Sequence, residues 1–396
     1  MIWLRRLALL GATLIFLVYS YKVWHFTRYS DFTVYYRAAQ QMVDGHWDQI
    51  YTLSDGASPF RYAPLFLPLF RPLAWFDPQI AQQIWFYLQC MAFVSAYGFI
   101  FLSLRQIDAK NAKTITAISF LMTARLMLDS FMIGQVASFM LLGYSVSLWA
   151  WLSHHSGLSG TALLVPTALK IGPGFSFLFY PLQNLRSGVR AWAITGLIFI
   201  LWLIFTGYWM PSAEVFKTTW SGWHMIVSND GNYIDSAHYG SQSTLSFWLR
   251  LAQTGLITRE MATTIARGVC ATLAIGLLIF WAKVKAQSTY DKAALYSLGV
   301  FPYLWFMPQT FKYSMHMILL PLSLLILHVF KEHAAGKVSY RNSFTLIFYA
   351  LTTSIAGKDV FGGFVHGWIQ KTSLPLIASF FIAYALIRSM TQKLAK

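Results

Sequence analysis

The sequence predicts an all-α polytopic membrane protein, and three observations carry that prediction. Hydrophobic residues make up 57% of the 396 residues and charged residues only 11%, against about 25% charged in ordinary soluble chains. A chain of this length could not solvate its surface with so few charges. The mean hydropathy is +0.51, and it comes from apolar runs separated by short polar stretches. The aromatic share is 17%, with 16 Trp and 21 Tyr, as expected where rings anchor at water–lipid boundaries. Disorder, a collagen-like repeat, a disulfide scaffold and a secreted enzyme are excluded. The net charge of +16 is scattered between hydrophobic segments. That pattern belongs to membrane loops, so membrane lipids are expected as surroundings and no nucleic-acid partner is expected.

The N-terminus, Met1-Ile2-Trp3-Leu4-Arg5-Arg6 and then apolar residues 7–19, has the outline of a signal peptide. It lacks a small-residue cleavage site, and the apolar run continues to Trp24, so it reads as an uncleaved first span. Further spans are expected at 82–104, 114–128, 135–152, 158–169, 172–182, 189–209, 262–283, 292–307, 313–330, 342–357 and 372–389. The total is about twelve transmembrane or re-entrant helices in a single domain, 1–396, several of them shorter than the ~20 residues of a straight span. The pair around Lys170-Ile171-Gly172-Pro173-Gly174 is interrupted by a charge, glycines and a proline. Such breaks are tolerated only where they are buried in protein or line a polar cavity. Cys90 and Cys270 lie in apolar runs without a Cys or His at metal-ligand spacing, and read as small core hydrophobes.

Basic residues set the orientation. With the N-terminus in the cytoplasm, the inner loops hold Arg5, Arg6, Arg105, Lys110, Lys113, Arg186, Arg190 and further Lys and Arg through Lys396, accompanied only by Asp108, Asp291 and Glu332. The positive-inside bias is clear, and both termini are expected in the cytoplasm. Two long segments, about 25–81 and 210–261, then lie outside and carry most of the remaining carboxylates. A transporter usually keeps its loops short and its chemistry at mid-bilayer. Long outer segments rich in Asp, His, Trp and Tyr instead direct the search to the outer face.

In the first of them, the stretch Ser30 to Gly45 reads as an interfacial helix. Ser30 or Asp31 is placed to cap its start and Gly45 to end it, and Phe32, Tyr35, Tyr36, Ala39, Met42 and Val43 recur on one apolar face. Asp31 serves equally well as a cap or as a general base. Partial burial at the lipid boundary favours the base by raising a carboxylate's pKa. Pro59-Phe60-Arg61-Tyr62-Ala63-Pro64 and an apolar run to Phe76 follow.

The stretch Asp31-Phe32-x-x-Tyr35-Tyr36-x-Ala38-Ala39, with Gly45 and Tyr51 and then Phe60-x-Tyr62-x-Pro64-Leu65, resembles the membrane-embedded C-type glycosyltransferases of family 87. Later motifs agree in order: Gly134-Gln135, Leu169-Lys170 with Pro173, Ser241-Gln242-Ser243, and Pro308-x-x-Phe311. The family includes polyprenol-phosphate-mannose-dependent α-mannosyltransferases and related arabinofuranosyltransferases. This chain departs from it twice. Tyr62-Ala63-Pro64 stands for the usual Tyr-Pro-Pro, and Phe311-Lys312-Tyr313 stands where an aromatic, a polar residue and His are usual, the nearest histidine being His316.

The resemblance implies an inverting hexosyltransferase at the outer face of a bacterial cytoplasmic membrane, with Asp31 as the base. It implies a polyprenyl-phosphate sugar donor, with mannose the expected sugar, and a glycolipid or glycan acceptor. Donor phosphate needs cations near that face. Lys170 is the first candidate, since an ionisable residue in a broken membrane segment points to function, although a lysine can also snorkel to an interface. Arg61 and Lys312 are the others. Tyr35, Tyr62, Gln135, Gln242 and His316 are candidates for sugar or acceptor contacts, with inter-helix hydrogen bonding as the alternative for the two amides. Asp129 could orient a sugar or hold a metal as a second outer carboxylate, but a pair with Arg125 on the same helix is the favoured expectation. His224, Asp235 and His238 could bind a divalent ion, though their spacing matches no strong metal motif; no cofactor is expected, with a divalent metal as the open alternative. There is no Walker loop, dinucleotide fingerprint, zinc pattern or nucleophile elbow. A lipid or solute transporter is the alternative from another class.

Overall fold

A computed structural model describes residues 2–25, 30–52, 60–228, 237–308, 310–337 and 339–394. Pro59 of the first outer segment and Asn229, Asp230, Asn232 and Asp235 of the second lie outside the described residues. The described chain is mainly helical, and its described residues hold no strand beyond an isolated bridge between Ser241 and Phe311. Its long elements are α1 (Ile2–His25), α2 (Ser30–Val43), α3 (Pro78–Ile107), α4 (Ala112–Ile133), α5 (Ala137–Leu152), α6 (Ser156–Leu169), α7 (Leu185–Tyr208), α8 (Ala213–Ser228), α9 (Thr244–Gln253), α10 (Arg259–Lys283), α11 (Thr289–Ser297), α12 (Val300–Phe306), α13 (Leu319–Ala334), α14 (Tyr340–Tyr349), α15 (Lys358–Lys371) and α16 (Leu374–Leu394). Seven helices among the described residues are long and apolar enough to cross a membrane: α1, α3, α4, α7, α10, the Lys312–Ala334 run containing α13, and the Leu374–Thr391 part of α16. The all-α polytopic architecture is therefore as expected.

The other expected spans are built from shorter pieces, and the sequence shows why. The 292–307 span breaks at Leu298-Gly299 between α11 and α12. Gly299 fits there because a Cβ would stand 2.5 Å from Ser176 Oγ. Even the Lys312–Ala334 run, long enough to span, begins with a 3-10 stretch, Lys312–Ile318, before α13. The 342–357 span is α14 followed by a π turn, Ala350–Ser354. The apolar run after Tyr62 forms no single helix. Pro64, Pro68 and Pro72 divide it into short turns from Pro64 to Trp75, since each proline removes an N–H.

The broken pair around Lys170 folds back on itself. After α6 the chain turns at Lys170 and returns through a 3-10 run, Gly172–Leu178, and one helical turn, Phe179–Gln183. Ser159 on the way out and Tyr180 on the way back meet: the Tyr180 hydroxyl lies 2.8 Å from both Ser159 Oγ and Ser147 Oγ. At the foot, Gln183 Nε2 donates to the carbonyls of Trp281 and Val284 at the end of α10. The hairpin is held by close backbone approach, as in membrane helix packing generally. A Cβ on Gly160 would fall 3.0 Å from the Ala191 carbonyl oxygen, and one on Gly143 would fall 2.5 Å from Pro166 Cδ. Lys170 is thus the tip of a hairpin whose feet sit at one end of the bundle.

The two cysteines are half-buried, and Cys90 packs against the core. Their helices turn one face outward, where a thiol is as acceptable as a methyl group. Helix α15 was not expected as an element at all. It carries Gly362, Gly363 and Gly367 and kinks at Gly362, where φ is +73°. Exposed Phe364 and Trp368 give it the character of an interfacial helix.

Candidate active site

The group around Asp31 begins with α2. The helix starts at Ser30, so Asp31 stands in its first turn rather than at the cap, where a carboxylate still faces unsatisfied N–H groups. The expected apolar face is real for Phe32, Tyr35, Tyr36, Ala39 and Met42, all buried, whereas Val43 is exposed. Gly45 ends the segment with φ +79°, as a C-terminal glycine does.

Helix α4 ends at Gly134, where φ is +74° and the amide caps the Ser130 and Phe131 carbonyls. A Cβ here would stand 2.9 Å from Phe32 Cβ and 3.3 Å from the Phe32 amide nitrogen. The Gly134-Gln135 pair therefore lets the start of α2, and Asp31 with it, lie directly against the α4–α5 turn. Trp85 Nε1 donates to the Gly134 carbonyl at 2.8 Å, and Gln89 Nε2 donates to that of Gln135 at 3.1 Å. Gly134→Ala is expected to destabilise the protein by ~2 kcal/mol, from positive-φ strain and the clash with Phe32. Thermal unfolding in detergent measures it, and transfer activity should fall at the same time because α2 is displaced.

Tyr35 stacks on Phe70 (centroids 4.9 Å apart) and meets Trp85 and Tyr62 edge-on. Its hydroxyl lies 2.9 Å from that of Tyr62. The segment carrying Tyr62 is clasped from three sides. Tyr51 OH donates to the Tyr62 carbonyl, Trp223 Nε1 to that of Arg61 and Trp202 Nε1 to that of Leu65. The tryptophans of the second outer segment and α7 thus fix the backbone of the first. Burial holds the Tyr35 hydroxyl well above its ordinary range, with Tyr62 and Asp31 adding to the effect. Burial also pushes Tyr62 up to about 12, while Lys170 pulls it down and Asp31 pushes it further up. Tyr313 lies within reach of the same two charges, and its hydroxyl accepts from Gln135 Nε2 at 3.2 Å. Lys170 Nζ sits 5.8 Å from the Tyr303 ring centroid. Asp31 and Lys170, 139 positions apart in sequence, therefore act on one tyrosine pair, Tyr62 and Tyr313.

The remaining candidates are placed elsewhere or differently. Lys312 is buried, with its ammonium 3.9 Å from Asp129 and donating to the Ala356 carbonyl. The structure brings it to Asp129 rather than into the Tyr62–Tyr313 group. Asp129 also pairs with Arg125 at 3.6 Å, as expected, and Arg125 reaches Asp359 at 2.7 Å. Asp129→Asn is expected to cost about 1 kcal/mol, since Lys312 loses its carboxylate at a partly screened position. Donor affinity should stay unchanged, as a binding titration of purified protein would show.

His316 is buried, with both ring nitrogens against carbonyls of Tyr313 and Ala137. This ties the 3-10 run to α5 and leaves no ring nitrogen directed at a sugar. Gln242 is buried, and its Nε2 donates to Tyr239 O and to Gln370 O and Oε1. On either side of it, Ser241, Ser243 and Ser246 all donate to the Pro308 carbonyl. The serine motif and the proline motif are thus two sides of one clasp. Arg61 is partly buried beside Tyr62. His224 and His238 are described, whereas Asp235 is not. Tyr303, Trp85 and Gln89 escaped the sequence reading, since buried aromatics and amides are common in any bundle.

Comparison with curated proteins and with solved structures finds no match. The family model for glycosyltransferase family 87 matches residues 60–308, a stretch that includes Arg61, Tyr62, Gln135, Lys170 and Gln242 but ends short of Tyr313 and begins after Asp31. That match covers more than half of the chain, so the protein belongs to glycosyltransferase family 87 and is a multi-pass membrane glycosyltransferase.

Proposed function

We propose that the protein transfers a hexose, mannose by preference, from a polyprenyl phosphate to a lipid- or glycan-linked acceptor, with inversion at the anomeric carbon. The reaction takes place at the outer face of a bacterial inner membrane, with both termini in the cytoplasm. The observation that carries this reading is the placement of Asp31 at the start of α2, seated on Gly134 and one turn before the Tyr35–Tyr62 pair, with Lys170 at the hairpin tip 5.8 Å from the Tyr303 ring and near Tyr62 and Tyr313.

Asp31 takes the proton of the acceptor hydroxyl as its oxygen attacks the anomeric carbon. The bond from that carbon to the phosphate oxygen breaks, and its electron pair leaves with the polyprenyl phosphate. Lys170, with Arg61 beside Tyr62, faces the charge gathering on that phosphate. Tyr62 stays protonated at neutral pH. In the Tyr35–Tyr62 pair one hydroxyl donates to the other, which leaves an O–H to offer a sugar or phosphate oxygen. His316 ties the run carrying Tyr313 to α5 through the Ala137 carbonyl, whereas Lys312 and Gln242 are held elsewhere by Asp129 and Gln370. In this reading Asp31 acts as a base in one direct displacement, whereas a retaining route would need a separate nucleophile and acid/base.

The test is the stereochemistry of the product made by purified protein from polyprenyl-phosphate mannose of known anomeric configuration, read by NMR. Inversion is expected. Retention would require a glycosyl-enzyme intermediate and would overturn the role given to Asp31.

A further inference from the structure

At the end of the bundle opposite Asp31, two adjoining cavities of about 350 and 390 Å³ open between α14 and α16. The direction follows from the helices themselves. Lys312 and Ser373 begin the last runs on the Asp31 side, and Glu332 and Arg388 lie near their far ends. The two cavities share Tyr340, Arg341, Asn342, Ala385 and Arg388.

Their linings differ in character. The first is polar, with Lys337 at its rim. Its one carboxylate, Glu332, is already engaged by His328 at 3.3 Å and by Asn342 Nδ2 at 3.1 Å. By formal charge the lining sets three cations, Lys337, Arg341 and Arg388, against that one carboxylate. Helix α14 also starts here, with no side-chain cap from Ser339 and no acidic residue in its first turn, which leaves its positive dipole end to an anion. The second cavity continues the first along Phe344, Phe381 and Tyr384, which are 57%, 39% and 60% exposed. A basic head opening into an apolar, outward-facing groove matches the two halves of an anionic lipid, and basic pockets between membrane helices bind such headgroups.

From this arrangement we propose that the α14–α16 cleft is a binding site for one anionic phospholipid. The phosphate lies between Arg341, Arg388 and the start of α14, and an acyl chain runs over Phe344, Phe381 and Tyr384. The site is independent of the transfer chemistry and belongs to the face opposite Asp31.

The test uses full-length protein, delipidated in detergent and titrated with phosphatidylglycerol or phosphatidylcholine, with bound lipid counted by native mass spectrometry. Wild type should hold one phosphatidylglycerol at concentrations where phosphatidylcholine is not retained. Arg341→Gln/Arg388→Gln should weaken that binding at least ~10-fold, the effect of losing more than about 1.4 kcal/mol of binding energy. Lys110→Gln/Lys113→Gln, at exposed positions in another loop of the same end, should leave it unchanged. If the double variant does not fold, Arg341→Gln alone and Phe344→Ala, both at exposed positions, serve in its place and should each weaken binding. Equal retention of phosphatidylcholine, unchanged affinity in the arginine variants, or displacement of the lipid by millimolar inorganic phosphate would overturn the proposal.

Discussion

Asp31→Asn should lower transfer from a polyprenyl-phosphate sugar by roughly 10²- to 10⁴-fold, the range lost with a positioned general base. The amide has nearly the shape of the carboxylate, so the start of α2 keeps its seat, with Phe32 against Gly134. What it lacks is the ability to accept the acceptor's proton. Loss of the charge in the first turn costs only about 0.3–1 kcal/mol, so the variant should melt close to wild type. Donor binding, which rests on Lys170 and Arg61 in this account, should be retained. Single-turnover transfer with labelled donor, beside a binding titration on the same preparation, separates the two. A variant that transfers normally, or that loses binding and transfer together, would remove Asp31 from the base role.

Lys170→Met is expected to have the second-largest effect, a loss of roughly 10²- to 10³-fold in transfer, as when a group stabilising developing negative charge is removed. Met keeps the length of the stem and its packing at the hairpin tip while deleting the ammonium. The pattern should be the reverse of that for Asp31, with donor affinity falling alongside turnover, because the phosphate is charged before and after transfer. Lys170→Arg should recover part of the activity, since it restores the charge with a different donor geometry. The tip itself should survive, because the hairpin is held at its base by Ser147, Ser159 and Tyr180 and at its foot by Gln183. Unchanged donor affinity in Lys170→Met would leave the phosphate without its principal partner and sink this part of the account.

Much of this arrangement was legible in the sequence because local signals carried it. The period of α2, the glycine at its end and the carboxylate at its start all sit within sixteen residues. The charge at position 170 stands out because everything around it is apolar, and an interruption of that kind needs a protected site. Other features depended on contacts that no local pattern reports. Lys312 and Tyr313 are neighbours, yet the lysine meets Asp129 and the tyrosine meets Gln135. Which one faces the Asp31 group depends on Lys312–Ile318 being a 3-10 run, where the side-chain period is three rather than 3.6. Gln242 looked equally able to hold a sugar or a neighbouring helix, and only the approach of Gln370, 128 residues later, engages its Nε2. The ion pair from Arg125 to Asp359 spans 234 positions and reaches a helix hidden by its own glycines. The three-sided clasp on residues 61–65 arises in the same way, from Trp202 and Trp223 in elements far along the chain.

The most direct measurement supplies purified wild-type protein and acceptor lipid with the same labelled sugar in two forms, attached to polyprenyl phosphate or to a nucleotide. Label should pass to the acceptor from the polyprenyl phosphate alone, with one free polyprenyl phosphate appearing for each sugar moved. Label arriving from the nucleotide form instead, with none from the lipid form, would contradict the pairing of Asp31 and Lys170 around a lipid-borne phosphate.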